Sequence, residues 1–499
     1  MCESCEKSFG SRVDRRDFLK VSGLAGTLFG GGLWSSMLAV ASDAEPIPKI
    51  AKDKAKILLV FMYPPASVVY AGEFEDGWAP NKWFTYPGNQ FEPEKNHRIY
   101  REKIDELSRD LDVIIEEAPV IYTKTGMAEF LERLKAEKPD ALFIVNFWNT
   151  MSAWSYDMVT VANEAGISSV VYQPVGSNHQ HPPTTLMSAE GTYYIHSVRN
   201  WDQIGHALTA IQAKKRLSQT RLLRIGSTKE ATKTTDANLG VEIDFIPGGE
   251  FNDLFDSIPI TEEMRKAAMQ FKAKAMEVLD VDDEYIVSGF RSYHAVRQIL
   301  TRYGADAVTI ECLMLKERKP CIGFSLLNSE LVPCACENNW DSAISLVIGS
   351  QLFGRGGFMH NPEFDINRNQ YYGSHCTSAL RMYGPQEADL PFLIRPFAHQ
   401  APKTAAIDVK MPPDAQAVIM KYVPDPKMIF GYTGKILYSP DFDVAGGCAT
   451  RFLMDVDKLD DVCNMYHGPH PILYLVEPDM VQRLKILAKL TRLNWVGNL

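Results

Sequence analysis

The sequence predicts an α/β protein with two consecutive Rossmann-like units on parallel sheets, followed by a β-rich, barrel-like C-terminal domain. Three observations carry that expectation. Short, continuous apolar runs alternate with segments of helical periodicity, as fully buried parallel strands and their crossover helices require. The alternation stops and restarts once. From about Gln386 it gives way to closely spaced β-branched segments separated by prolines. A chain of 499 residues is too long for one compact core, so several domains are expected.

The first 41 residues read as a targeting segment. Arg15-Arg16-Asp17-Phe18-Leu19-Lys20 is a twin-arginine signature, Val21 to Leu38 is weakly apolar and glycine-rich, and Ala39-Val40-Ala41 offers a signal-peptidase site. Glycines and serines make that run a poor membrane helix. The expectation is folded export to the periplasm or outside the cell, with the membrane met only in transit. Residues 42–54 form a polar linker.

Residues 55–218 make the first α/β domain. Ile57–Met62, Val113–Ile115, Ala141–Val145 and Ser169–Tyr172 read as strands, and Asn96–Asp110, Met127–Glu137, Asp157–Ala165 and Trp201–Leu217 as helices. The second domain, 219–385, repeats the rhythm: strands at Arg221–Gly226, Val241–Ile246, Ala307–Glu311 and Ile322–Ser325, helices at Thr261–Leu279 and Tyr293–Tyr303. The third, 386–499, has strand-like Ala405–Val409, Gln416–Tyr422, Lys435–Tyr438 and Arg451–Val456, with a late helix at Met480–Leu490.

Composition narrows the function. Hydrophobic content of 45% and charged content of 23% are ordinary for a globular protein. A net charge of -10, with no Lys/Arg stripe, excludes a nucleic-acid partner. Seven of the nine cysteines follow the targeting segment, in no zinc-like spacing. Cys334 and Cys336, two apart in an apolar stretch, read as buried neighbours on one strand face.

The second domain carries the chemistry. Pro333-Cys334-Ala335-Cys336-Glu337 is followed by Asp365 in Asn361-Pro362-Glu363-Phe364-Asp365 and by His375-Cys376. Two carboxylates and an imidazole around one short helical pattern supply the oxygen and nitrogen donors of a divalent ion. His375 reads equally well as a hydrogen-bonded core histidine. The loop Gly354-Arg355-Gly356-Gly357 lacks the context of a phosphate cradle and reads as a mobile turn.

In domain order, and most specifically from Lys319-Pro320-Cys321 through Ser374-His375-Cys376, the chain resembles the L-fucose/L-arabinose isomerase superfamily. That resemblance implies a metal-dependent aldose–ketose isomerase acting through an enediolate on a deoxy sugar or pentose. Glu337 and Asp365 would share metal binding and proton transfer, on an ion for which oxygen-rich ligation leans to manganese. A further ligand would come from His467-Gly468-Pro469-His470-Pro471, with His470 the first choice. His179 and His181 would touch substrate from a neighbouring subunit, in a trimer or hexamer. Asn339 and the two prolines depart from the family pattern. The competing expectation is a non-catalytic carbohydrate-binding protein that keeps the fold.

Overall fold

A computed structural model describes residues 51–72, 92–147, 152–174, 184–197, 199–397, 404–441, 448–459 and 469–498. The twin-arginine segment, His179, His181, His467 and Cys463 lie outside the described residues. The chain is a mixed α/β protein with two largely parallel sheets and antiparallel sheets toward its C-terminus. It divides into two compact units.

One unit comprises 52–218 and 482–495. Its sheet holds β1 (Ala55–Met62), β2 (Val113–Glu117), β3 (Ala141–Asn146), β4 (Ser168–Gln173) and β5 (Thr192–His196), all parallel in the order β2-β1-β3-β4-β5. Strand β3 is buried at every position, which is why it reads as an unbroken apolar run. The helix Lys124–Glu137 starts where the Thr123 hydroxyl accepts from Gly126 N, and buries Met127, Phe130 and Leu134 on one stripe. Trp201–Leu217 is a helix with the bounds the sequence predicts, capped by Asn200. The late helix Gln482–Leu490 packs along it, with Arg483 Nε donating to His206 Nδ1 at 3.0 Å. That helix was expected in the third domain. Its apolar stripe announces an amphipathic helix but not the core it joins.

The other unit spans 219–481, so the expected second and third domains form one compact body. Its parallel strands are β6 (Arg221–Gly226), β8 (Glu242–Pro247), β9 (Ala307–Ile310) and β10 (Cys334–Cys336), in the order β10-β9-β6-β8, with β7 (Thr232–Thr235) antiparallel at the edge. The expected strand Ile322–Ser325 is instead inside the helix Cys321–Ser329. A short apolar run cannot distinguish the two. The decisive residue is Gly323, where an added Cβ would meet Ser292 Oγ and Tyr293 N at 2.8 Å, so the helix crosses its neighbour Asp283–Tyr303 closely.

The large antiparallel sheet begins at Phe358, earlier than the expected boundary near 386. Strands β11 (Phe358–Met359), β12 (Asn361–Asp365), β13 (Gln370–His375), β16 (Gln416–Val423), β17 (Met428–Tyr438), β18 (Thr450–Val456) and β19 (Ile472–Tyr474) pair in the order β11-β19-β16-β17-β18-β13-β12. The two ends of this path, β11 and β12, are separated in the chain only by His360. A separate ladder joins β14 (Phe392–Pro396) to β15 (Ala405–Val409). The glycine-rich turn is packed: Cβ atoms at Gly356 and Gly357 would meet Ala379 Cβ at 2.5 Å and Ile472 Cγ2 at 2.7 Å.

Candidate metal centre

Glu337 stands at the carboxyl end of β10, where open α/β sheets place their ligands. Two consecutive left-handed residues, Glu337 (φ 59°) and Asn338 (φ 56°), turn the chain from strand to helix. Such conformations cost free energy in residues other than glycine and concentrate at functional sites. The turn is tied down on both sides. Asn338 Oδ1 accepts from Arg224 Nε at 2.6 Å, and Asn339 Oδ1 accepts from Ser342 N at 3.1 Å to cap the helix Trp340–Phe353.

Two histidines arrive from the antiparallel sheet. His375 closes β13, and His470 (φ 66°) precedes β19; both are buried. Ser342 Oγ donates to the His470 carbonyl at 2.7 Å, and Lys421 Nζ donates to Pro469 O while pairing with Asp341 at 3.2 Å. The first turn of the Trp340–Phe353 helix thus fixes both the Glu337 turn and the His470 backbone.

These three side chains converge. His375 Nε2 lies 3.4 Å from Glu337 Oε1 and His470 Nε2 lies 3.3 Å from Glu337 Oε2. One donor atom from each residue falls within 4.8 Å of the others. The imidazoles meet edge-on, 5.3 Å between centroids. His470 Nδ1 is 3.2 Å from Asn339 Nδ2, which leaves Nε2 for the centre. Neither ring nitrogen of His375 makes a well-formed hydrogen bond among the described residues.

The electrostatics follow from that crowding. His375, then His470, hold the Glu337 carboxyl far below the usual range. Burial opposes charge on His375, yet Glu337 beside it wins and the net shift is upward. Burial dominates at His470 and lowers it. A cation among these groups would satisfy one carboxylate and two imidazoles at once. The donor set therefore fits a divalent metal, and one ring nitrogen of buried His375, which makes no well-formed hydrogen bond among the described residues, is what such an ion would use.

Sequence reading named Glu337, His375 and His470, and the structure brings them together. It does not bring Asp365. That residue pairs with Gln370 at the far end of the β12–β13 hairpin, whereas Asn361 pairs with Ser374 beside His375. Four residues of strand, about 13 Å, separate the two levels. Asp365 is half exposed; its carboxylate accepts from Arg368 N at 3.2 Å and lies 3.6 Å from the Arg368 guanidinium. Its expected roles as metal ligand and proton-transfer group are corrected accordingly. Asn361 is the residue of that segment that lines a cavity of about 180 Å³ with Glu337 and His375. It was missed because an amide is a poor metal donor and attracts no attention in a ligand search.

Compared with known proteins, the chain matches no family model, and no curated protein matches it.

Proposed function

We propose that Glu337, His375 and His470 hold a divalent metal, and that the chain uses it on a small oxygen-rich substrate. The observation that carries this reading is the convergence of the three donor atoms within 4.8 Å. Two imidazoles and one carboxylate suit a borderline ion such as zinc, iron(II) or cobalt. The lean to manganese rested on two carboxylates, and manganese becomes one competitor among several.

Within the site, aldose–ketose isomerisation is the reaction that the isomerase resemblance adds. When bound, the ion would supply Lewis-acid stabilisation of negative charge developing on a substrate oxygen. Asn361, on the cavity wall, would hydrogen-bond a substrate hydroxyl. Glu337, kept ionised by its two histidines, would hold the site's negative charge. Two Rossmann-like sheets with a closed barrel is the fold proposed to accompany this activity; the chain adjacency of β11 and β12 supports the barrel. Export by the twin-arginine route and a homo-oligomer belong to the same proposal.

The test is metal content and affinity by elemental analysis and calorimetry, then incubation of the loaded protein with a panel of aldoses. One ion per chain and a ketose product are expected. An ion bound with no ketose from any aldose would remove the isomerase and leave the metal site. A second reading, a sugar-binding protein without turnover, is favoured by the displacement of Asp365, because no second carboxylate joins the group among the described residues. Sugar binding that survives Glu337→Gln, without product, would select it.

A further inference from the structure

A second cavity, of about 400 Å³, lies in the same unit and shares no lining residue with the one at Glu337. Sites for small organic ligands run from about 300 to 1,000 Å³, a range that this cavity enters. Its wall is fixed by a buried network. Between β7 and β8, buried Asp236 accepts from Leu239 N and from Tyr422 Oη, each at 2.7 Å. Asn238 Nδ2 donates to Tyr422 Oη at 2.9 Å and to Pro424 O at 3.2 Å, which ties that loop to the β16–β17 hairpin. Each oxygen of Asp236, the carboxylate on the wall, thus already accepts a hydrogen bond. Two cations line the cavity as well: Lys427, exposed in the hairpin turn, and Arg224, half-buried on β6. Neither has an ion pair among the described residues. Arg224 is held in place, with Nε donating to Asn338 Oδ1 at 2.6 Å and the guanidinium 4.5 Å from the centre of the Phe245 ring. Its two terminal nitrogens, the fork that matches a carboxylate or phosphate, meet no protein acceptor among the described residues. Glu311 and Asp341, the acids that support its charge, are engaged by Ser227 N at 2.7 Å and Lys421 Nζ at 3.2 Å.

We infer that this cavity binds a small organic oxyanion, a carboxylate or phosphate carried on a molecule with a flat unsaturated ring. Arg224 takes the oxyanion in two parallel hydrogen bonds, and Lys427 adds a second positive charge. Trp340, whose indole lines the same cavity and makes no aromatic pair among the described residues, offers the ring a stacking face. The hydroxyls of Thr234 and Thr235, exposed on β7, supply further polar contacts. Cations outnumber acids on this wall by two to one in a chain of net charge -10, so the attraction is local to the cavity. The site needs no metal at Glu337.

The experiment titrates the full metal-free chain with adenosine monophosphate, benzoate and inorganic phosphate, by calorimetry and tryptophan fluorescence. One ring-bearing anion per chain is expected, with fluorescence quenching that Trp340→Phe removes. The tighter of the two identifies the oxyanion as phosphate or carboxylate. Inorganic phosphate, which cannot stack, should bind at least about 10-fold more weakly than that anion. Arg224→Lys keeps the charge but loses the fork, and should weaken binding at least about 10-fold. Lys427→Ala, at an exposed turn position outside the buried network, should weaken it several-fold and decides the matter should Arg224→Lys fail to fold. Lys435→Ala, outside the cavity, should change nothing. His470→Ala should lose divalent metal yet bind the anion as the parent chain does, which separates this site from the one proposed above. Saturable binding of neither ring-bearing anion would overturn the inference, as would inorganic phosphate bound as tightly as both. So would binding indifferent to Arg224→Lys and Lys427→Ala.

Discussion

Two buried charged clusters in the same unit behave oppositely. Asp408, 1 % exposed, has Arg395 Nε and Lys410 Nζ each at 3.1 Å, and Lys410 also reaches Asp441. Each acid there faces a permanent cation. The Glu337 cluster places one carboxylate between two imidazoles, leaving the ring nitrogens of His375 without well-formed hydrogen bonds among the described residues. Burial of charge is common to both. What differs is the donor chemistry: a carboxylate and two imidazoles can ligate a metal, whereas the guanidinium and ammonium that surround Asp408 cannot.

The largest expected effect breaks the first cluster. Asp408→Ala removes the buried carboxylate that faces Arg395, leaves Lys410 with Asp441, and should cost about 3–5 kcal/mol in urea unfolding. Metal uptake should be unchanged; a loss of uptake would mean the two clusters are not independent. Next, His470→Ala or Glu337→Gln should weaken divalent metal binding at least about 100-fold by calorimetry, since loss of even an outer partner of a ligand costs 10–100-fold. Stability should change little beside Asp408→Ala.

A third expectation concerns pH. The folded pKa of His375 is raised above its unfolded value, so its charged form stabilises the metal-free fold below about 6.5. That contribution is lost as pH rises through the raised value. A metal needs the neutral ring, so affinity should fall as pH drops through the same range, with proton release seen as a buffer-dependent binding heat. His360 supplies the contrast. Burial pushes it down to about 3, so its stabilising contribution is present above about 6.5 and is lost as pH falls toward 3. The smallest effect is Asp365→Ala, which removes a turn cap worth about 1 kcal/mol or less and should leave metal affinity untouched.

The strands and helices of the parallel sheets were legible because full burial writes itself as unbroken apolar runs, and half-burial as a helical stripe. Glu337 was legible for a related reason: it is the first polar residue after such a run. Asp365 shows where that reasoning stops. Its chemistry suited a ligand, but the β12–β13 register, which decides distance, depends on a hairpin that apolar patterning did not mark. Ile322–Ser325 failed similarly, because helix packing against Gly289 and Tyr293 settles what a short apolar run leaves open. His470 was found through resemblance; its approach depends on Ser342 and Lys421, which the sequence gives no reason to connect.

The contact between Asn339 and His470 spans 131 positions of chain. A nascent protein therefore displays Glu337 long before it possesses the residue that completes the centre. Partial chains would have no means of trapping an ion with all three donors. Loading by all three donors would thereby wait for His470 to be made, and occupancy of the centre would report on a molecule in which the strands from β11 to β18 already exist.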